Sequence, residues 1–130
     1  MKIVSTDNQC ELTIENGEDE FGYNFCSLAA KIGSGTCEFT GCNNDVTFTN
    51  MIEFIKDLDS FILNRELEPK LEGTYGSYLL FKGTSTYVAL TFKIGGAFCG
   101  TETFSYSITG TFEVAKEYLQ EIVVEFKKYA

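Results

Sequence analysis

The chain has 130 residues, which is enough for one domain with its own hydrophobic core. It contains no histidine, so proton transfer or metal binding would depend on carboxylates, thiols or lysines alone. The net charge of −9 argues against nucleic acids and anionic membranes as partners, because both carry negative charge. No stretch approaches the roughly 20 apolar residues that a membrane-spanning helix needs.

Four short β-strands are predicted at the start of the chain. They cover residues 2–5, 11–15, 23–32 and 36–40. In the second strand Leu12 and Ile14 share one face, because side chains alternate along a strand. The dipeptide Asn16-Gly17 then predicts a type I′ hairpin turn, since both of its central positions require positive φ. In the fourth strand the alternation places Cys37 and Phe39 on the same face.

The apolar period then changes from two residues to three or four, which predicts an amphipathic helix over residues 50–64. Phe54 lies away from the centre of the apolar stripe. Asn50, with Glu53 three residues later, predicts a capping box at the helix start. Pro69 requires the helix to have ended by residue 68. The stripe consists of the apolar residues Met51, Ile52, Ile55, Leu58, Phe61 and Ile62.

Strands are predicted again after this helix. Residues 67–71 are a weak candidate, residues 77–82 a better one, and residues 86–94 have the clearest alternation in the chain. Residues 102–109 are its expected partner across a glycine-rich hairpin at residues 95–100. In that partner strand the inward-facing residues are expected to be Phe104, Tyr106 and Ile108.

A second amphipathic helix is predicted over residues 111–128. Lys127 and Lys128 fall in its last turn, where positive charges complement the helix dipole. The apolar stripe consists of Ala115, Leu119, Ile122, Val123 and Phe126.

The element order ββββ-α-βββ-α predicts a single α+β domain over residues 1–130. Runs of strands without intervening helices imply antiparallel pairing. Each helix has one apolar face, which one sheet surface can cover. We therefore expect a bent antiparallel sheet or small β-sandwich with two amphipathic helices.

Residues with the spacing of a catalytic or metal site are absent from the sequence. The chain has no C-x-x-C motif and no histidine that could complete a zinc site. Both glycine-rich loops lead into predicted strands, whereas a phosphate-binding loop must open a helix. We therefore expect no enzyme activity, no cofactor and no metal.

The cysteines indicate a reducing compartment. They are odd in number, and the first 14 residues have no apolar run of signal-peptide length. We expect a cytoplasmic protein with five free thiols, at Cys10, Cys26, Cys37, Cys42 and Cys99.

The negative charge is concentrated in the first half of the chain. Residues 1–55 hold nine acidic and two basic residues, a net charge of −7, and the remaining residues carry −2. Four acids lie within six residues around the predicted turn, and two more lie on the polar side of the first helix. Solvated surface is one interpretation, and a recognition surface for a basic partner is the other. The six candidate partner-binding acids are Glu15, Glu18, Asp19, Glu20, Asp57 and Asp59.

Four segments share a hydrophobic pattern and element order with a bacterial family. They are residues 49–61 (TNMIEFIKDLDSF), 71–73 (LEG), 86–92 (TYVALTF) and 104–124. In this respect the chain resembles the WapI-type immunity proteins of polymorphic toxin systems. The resemblance covers about the last two thirds of the chain and includes no signature residue. It implies a non-enzymatic cytosolic protein that binds and neutralises a cognate toxin, often a nuclease. A basic nuclease surface would suit an acidic inhibitor.

Two other classes of function fit the same sequence. One is a small-ligand binding module with a pocket lined by Phe and Tyr, which predicts a deep apolar cavity. The other is a structural or accessory subunit that assembles through an exposed sheet edge, which predicts an exposed apolar patch and an oligomer. The sequence leaves the oligomeric state open.

Overall fold

The computed structural model of the protein describes residues 1–18, 24–96 and 106–130. These residues form two antiparallel four-stranded sheets and two α-helices, which confirms the predicted α+β class. Sheet 1 has the order β1-β2-β3-β4 and sheet 2 the order β5-β6-β7-β8. The strands of sheet 1 are β1 (Lys2–Val4), β2 (Cys10–Glu18), β3 (Asn24–Ser34) and β4 (Cys37–Val46).

Helix α1 (Met51–Phe61) connects the two sheets, and helix α2 (Leu119–Lys127) closes the chain. A 3₁₀ turn, Lys116–Tyr118, precedes α2. The strand that the sequence indicated only weakly is β5, so four strands follow α1. The strands of sheet 2 are β5 (Lys70–Glu72), β6 (Tyr78–Gly83), β7 (Val88–Gly96) and β8 (Tyr106–Glu113).

The predicted turn at Asn16-Gly17 is wrong. Both residues belong to β2, where Asn16 pairs with Cys26 and Gly17 with Phe25. A Cβ atom at Gly17 would lie 2.6 Å from the Phe25 ring, so any larger residue here would require that ring to move. The hairpin connection between β2 and β3 lies later, at residues 19–23, outside the described residues.

The boundaries predicted around β8 also need correction. Residues 111–113 belong to β8 and not to the second helix, because Phe112 is buried opposite Leu90 in the ladder of β7. Gly95 and Gly96 likewise extend β7 and pair with β8. Tyr106, expected to face inward, is 51% exposed. The rest of the predicted hairpin loop, together with Phe104 and Cys99, lies outside the described residues.

The two sheets approach each other closely along one side of the molecule. A Cβ atom at Gly110 of β8 would lie 2.1 Å from Ile32 of β3, and one at Gly41 of β4 would lie 2.7 Å from Ile108 of β8. At Gly95 of β7 the neighbour would be the backbone carbonyl of Tyr75. Glycine therefore allows β3 and β4 to pack directly against β7 and β8.

The helices pack beside this contact on the same face of sheet 2, because Phe81 is paired with Leu90 and shares a face with Phe92 and Gly110. Phe54 of α1 packs edge-to-face on Phe126 of α2, with ring centroids 4.9 Å apart, and also contacts Phe81 of β6 at 6.2 Å. The Tyr129 hydroxyl, just beyond α2, donates to the Ile14 carbonyl of β2 at 2.8 Å. Both sheets and both helices thus contribute to one contiguous core. Neither helix in the described ranges combines the length and hydrophobicity needed to cross a membrane.

The apolar stripe predicted for α1 is rotated in the structure. Phe54, which was placed off the stripe, is fully buried, whereas Ile52, which was placed on it, is 72% exposed. The reason is that α1 packs between sheet 2 and α2, and the two surfaces together cover the side of the helix that carries Phe54.

This rotation predicts that two truncations in α1 differ strongly in their effect on stability. Phe54→Ala should lower the free energy of unfolding by about 3–5 kcal/mol, because it leaves a cavity in the core. Ile52→Ala should change it by less than about 0.5 kcal/mol, because the side chain is exposed. Urea denaturation followed by circular dichroism measures both. A comparable loss for the two variants would contradict the observed orientation of α1.

The predicted capping box at Asn50 is also wrong, because its side chain makes no cap hydrogen bond to α1. Instead, its Nδ2 donates to the Lys70 carbonyl at 2.9 Å and its Oδ1 accepts from the Glu72 N–H at 2.8 Å. The Thr49 N–H donates to the Glu72 carbonyl at 2.9 Å. The segment that enters α1 therefore covers the free edge of β5.

We expect Asn50→Ala to lower the free energy of unfolding by about 1–2 kcal/mol, since two hydrogen bonds to β5 are lost. Glu53→Ala should cost less than about 0.5 kcal/mol, although a capping box would make the two residues comparable. Thermal and urea unfolding of both variants is the measurement. A destabilisation by Glu53→Ala equal to that of Asn50→Ala would restore the capping-box interpretation.

Candidate functional site

The structure describes three of the six predicted partner-binding acids in full. Glu15 is exposed on β2, and Asp57 and Asp59 are exposed on α1. Glu18 is the last residue of β2, and its side chain is not among those described. Asp19 and Glu20 lie outside the described residues.

The end of β2 and the start of α1 lie at the same end of the molecule. Asn16, Met51 and Tyr129 line one shallow cavity of about 130 Å³. Glu15 is close enough to Tyr129 to contribute to the raised pKa of that phenol. Asp57 lies six residues beyond Met51, which is about 9 Å along a helix. The start of α1 therefore lies near Glu15, whereas Asp57 and Asp59 lie farther along the helix.

Some of the described acids make ion pairs and others do not; Glu15 and the acids of α1 belong to the second group, as do Glu113 and Glu117. Within the described residues, neither Glu15 nor the three acids of α1, which include Glu53, lie within ion-pair distance of a base. By contrast, Glu11 pairs with Lys2 at 3.6 Å and Glu38 with Lys31 at 3.7 Å on the outer face of sheet 1. The field of the unpaired carboxylates is therefore less compensated by fixed positive charge.

Two apolar side chains are exposed beside these acids. Ile52 is 72% exposed in the first turn of α1, and Leu63 is 95% exposed just after the helix. Lys56 is the one basic residue of α1. We call the surface formed by Ile52, Glu53, Lys56, Asp57, Asp59 and Leu63 the α1 outer face; exposed Lys56 lies one helical turn from Ile52, Glu53 and Asp59, so three acids and one base share it. Glu53, Ile52 and Leu63 were not predicted as site residues. Their helical spacing indicates that they share an exposed face only when the buried face of α1 is already known.

A thiol and a phenol meet at the same end, beneath the surface. Burial raises the pKa of the Cys26 thiol, which donates to Asn16 Oδ1 at 3.2 Å. Burial also raises the pKa of Tyr129, and the nearby Cys26, Glu125 and Glu15 add to this effect. Both shifts favour the protonated, neutral form. These two groups are therefore poorly suited to act as a nucleophile or a general base near neutral pH.

Raised pKa values make stability depend on alkaline pH. The folded state holds Cys26 and Tyr129 neutral. Their contribution to the free energy of unfolding is therefore fully present below their ordinary pKa values of about 8.5 and 10, and it is lost as pH rises above those values. Urea unfolding between pH 7 and 10.5 should show this fall, and Cys26→Ala should flatten its first part. Cys42→Ala, which removes an exposed thiol, is the control and should keep the wild-type slope. A slope unchanged by Cys26→Ala would show that Cys26 does not cause it.

The other described cysteines are free thiols, as is Cys26. In residues 1–18, 24–96 and 106–130, no three His, Cys, Asp or Glu side chains are grouped as a metal site would require. Cys37 is exposed, as is Phe39 at 62%. Phe39 is paired with Ile32, so Cys37 and Phe39 do share the inner face of sheet 1, but at its uncovered end near the β3–β4 turn.

An open groove of about 570 Å³ lies between β1 and α2. Lys2 and Val4 line one wall, and Glu121 and Ile122 line the other. Tyr118 is the aromatic residue at its rim. Hydrophobic pattern alone does not indicate this groove, because it depends on where α2 docks.

No protein-family model, no curated protein and no solved structure matches this chain.

Proposed function

We propose that the protein is a non-enzymatic immunity protein that binds and neutralises a basic toxin, most plausibly a nuclease. The observation that carries this proposal is the α1 outer face, where three acids without ion pairs among the described residues lie beside two exposed apolar side chains. The identity of the partner as a toxin rests on the sequence resemblance to WapI-type immunity proteins.

The composition of the α1 outer face suits a basic protein partner. Carboxylates attract a basic surface over about 8 Å at physiological salt and so speed encounter. Exposed apolar side chains such as Ile52 and Leu63 gain free energy when a partner buries them, which lengthens the life of the complex. A nuclease must expose positive charge to bind phosphate, and an inhibitor that covers this charge blocks its substrate.

The described residues give little support to a catalytic role. Cys26 and Tyr129 are held neutral, and Asp7, whose pKa is lowered chiefly by a hydrogen bond from Ser5, is an exposed turn residue. These groups do not converge on a closed cavity with an acid, a base and a nucleophile.

A small-ligand module is less well supported. Phe54, Phe81 and Phe126 are fully buried and pack on one another, so they fill the space in which an aromatic pocket was considered. The cavity beside Phe48 and Tyr129 holds about 130 Å³, and the larger groove of about 570 Å³ is open and has Tyr118 as its one aromatic lining residue. Typical small-molecule sites hold about 300–1,000 Å³.

The proposal is tested by capturing partners of the tagged full chain from the cell that encodes it, with identification by mass spectrometry. We expect a basic protein whose nuclease activity falls when the chain is added. With that partner purified, Asp57→Lys/Asp59→Lys should slow association at low salt by about tenfold or more, because two attractive charges become repulsive. The difference should shrink as salt rises.

The matched control is Glu113→Lys/Glu117→Lys, which reverses two exposed acids outside the α1 outer face and should slow association less. Leu63→Ala should speed dissociation without lowering stability, since that side chain is almost fully exposed. Equal effects of the two charge reversals, or a partner whose activity is unchanged by the chain, would refute the proposal.

A further inference from the structure

The groove between β1 and α2 is bounded on one side by the edge of sheet 1. Strand β1 is the outermost strand, and its only strand neighbour in the described residues is β2. Three residues of β1 extend over about 10 Å. The opposite wall is one face of α2, and Val114 and Ile122, both nearly buried, supply apolar surface at the base.

The hydrogen-bond pattern shows which backbone groups face this groove. The Ile14 N–H donates to the Met1 carbonyl at 2.8 Å, and the Ser5 N–H donates to the Cys10 carbonyl at 2.9 Å. Because alternate residues of an antiparallel strand face the same neighbour, Ile3 also faces β2. The N–H and C=O groups of Lys2 and Val4 therefore point away from β2, toward the groove.

Among the described residues, these four backbone groups have no hydrogen-bond partner. The next outward-facing group, the Thr6 N–H, donates to the Glu113 carbonyl at 3.0 Å. The end of β8 therefore already occupies the continuation of this edge. An edge strand with free backbone groups is a template on which another strand can pair.

The charged groups that line the groove balance: the Met1 amino group and Lys2 are positive, and Glu121 and Glu125 are negative. Lys2 is paired with Glu11 at 3.6 Å, and Glu125 is paired with Lys128 at 2.9 Å. Glu121 is exposed and makes no ion pair within the described part of the chain. An occupant that carries a positive charge opposite α2 would pair with Glu121.

We propose that this groove binds an extended peptide segment of a partner protein, which adds to β1 as a fifth strand of sheet 1. The segment carries an apolar side chain that packs on Val114 and Ile122, and a Lys or Arg that reaches Glu121. Backbone hydrogen bonds to Lys2 and Val4 hold it in register, and the α2 wall selects its side chains. This site is separate from the α1 outer face and does not depend on the proposed toxin partner.

The probe is a phage-displayed library of random 12-residue peptides, selected against the full chain. We expect enriched sequences that contain an apolar residue and a Lys or Arg within an extended segment. On binding of a selected synthetic peptide, the amides of Lys2 and Val4 should exchange with solvent at least about tenfold more slowly by NMR. The Ile3 amide, which already faces β2, should change less.

Two pairs of variants separate strand addition from other modes of binding. Val4→Pro removes an outward N–H without touching the β1–β2 ladder, because proline is tolerated on an edge strand in that orientation. It should weaken peptide binding about tenfold or more, and Val4→Thr, which keeps the N–H, should not. Glu121→Lys should remove the preference for Lys or Arg, whereas Glu117→Lys, which lies outside the groove, should leave it.

Three results would overturn the proposal. One is a selection without enriched peptides, and another is peptide binding that Val4→Pro leaves unchanged. The third is protection of the Lys2 and Val4 amides in the free protein that increases with its concentration, which would assign the edge to a second copy of the chain. A negative result here leaves the α1 outer face untouched, since the experiment contains no toxin.

Discussion

The close contact between the two sheets at glycine positions organises the rest of this protein. Gly41 and Gly110 leave room for Ile108 and Ile32, so the sheets can pack directly on the side formed by β3, β4, β7 and β8. Both helices pack beside this contact in the same core, where the ring of Phe54 on α1 packs against the ring of Phe126 on α2. A Cβ atom at either position would collide with an isoleucine of the other sheet, so a neighbouring side chain or a strand would have to shift. The direct contact between the sheets and the packing of the helices therefore belong to one core.

Both candidate binding surfaces arise on the side that the helices occupy. The α1 outer face is the part of α1 that neither sheet 2 nor α2 covers, and the groove lies where α2 passes the short edge strand β1. They offer different chemistry. The first presents carboxylates and apolar side chains, which favour a basic protein surface. The second presents unsatisfied backbone groups and an apolar base, which favour an extended chain. One small protein could use them for two contacts with one partner or for two different partners.

Several local predictions were wrong because tertiary contacts override local signals. Asn16-Gly17 has the composition of a tight turn, but the Phe25 ring packs over Gly17 and keeps both residues in β2. Asn50 has the spacing of a helix cap, but its amide bonds the edge of β5, where two backbone groups needed partners. Ile52, predicted on the apolar stripe, is exposed, and Phe54, predicted away from its centre, is fully buried, because α1 packs on two surfaces rather than one. In each case the deciding neighbour is distant in the sequence.

The sequence alone determined the α+β class, the order of elements and most of the core, through signals such as the alternation in residues 86–94 and the helical spacing in residues 50–64. It could do so because period and burial are local consequences of backbone geometry. The sequence also determined that acids outnumber bases in the first half of the chain. Only the tertiary structure decided which described acids lack ion pairs and which apolar residues of α1 are exposed. It also decided where α2 meets the edge of β1. These features depend on how the elements dock, and docking depends on contacts such as Gly110 with Ile32 and Phe54 with Phe126 that no local pattern encodes.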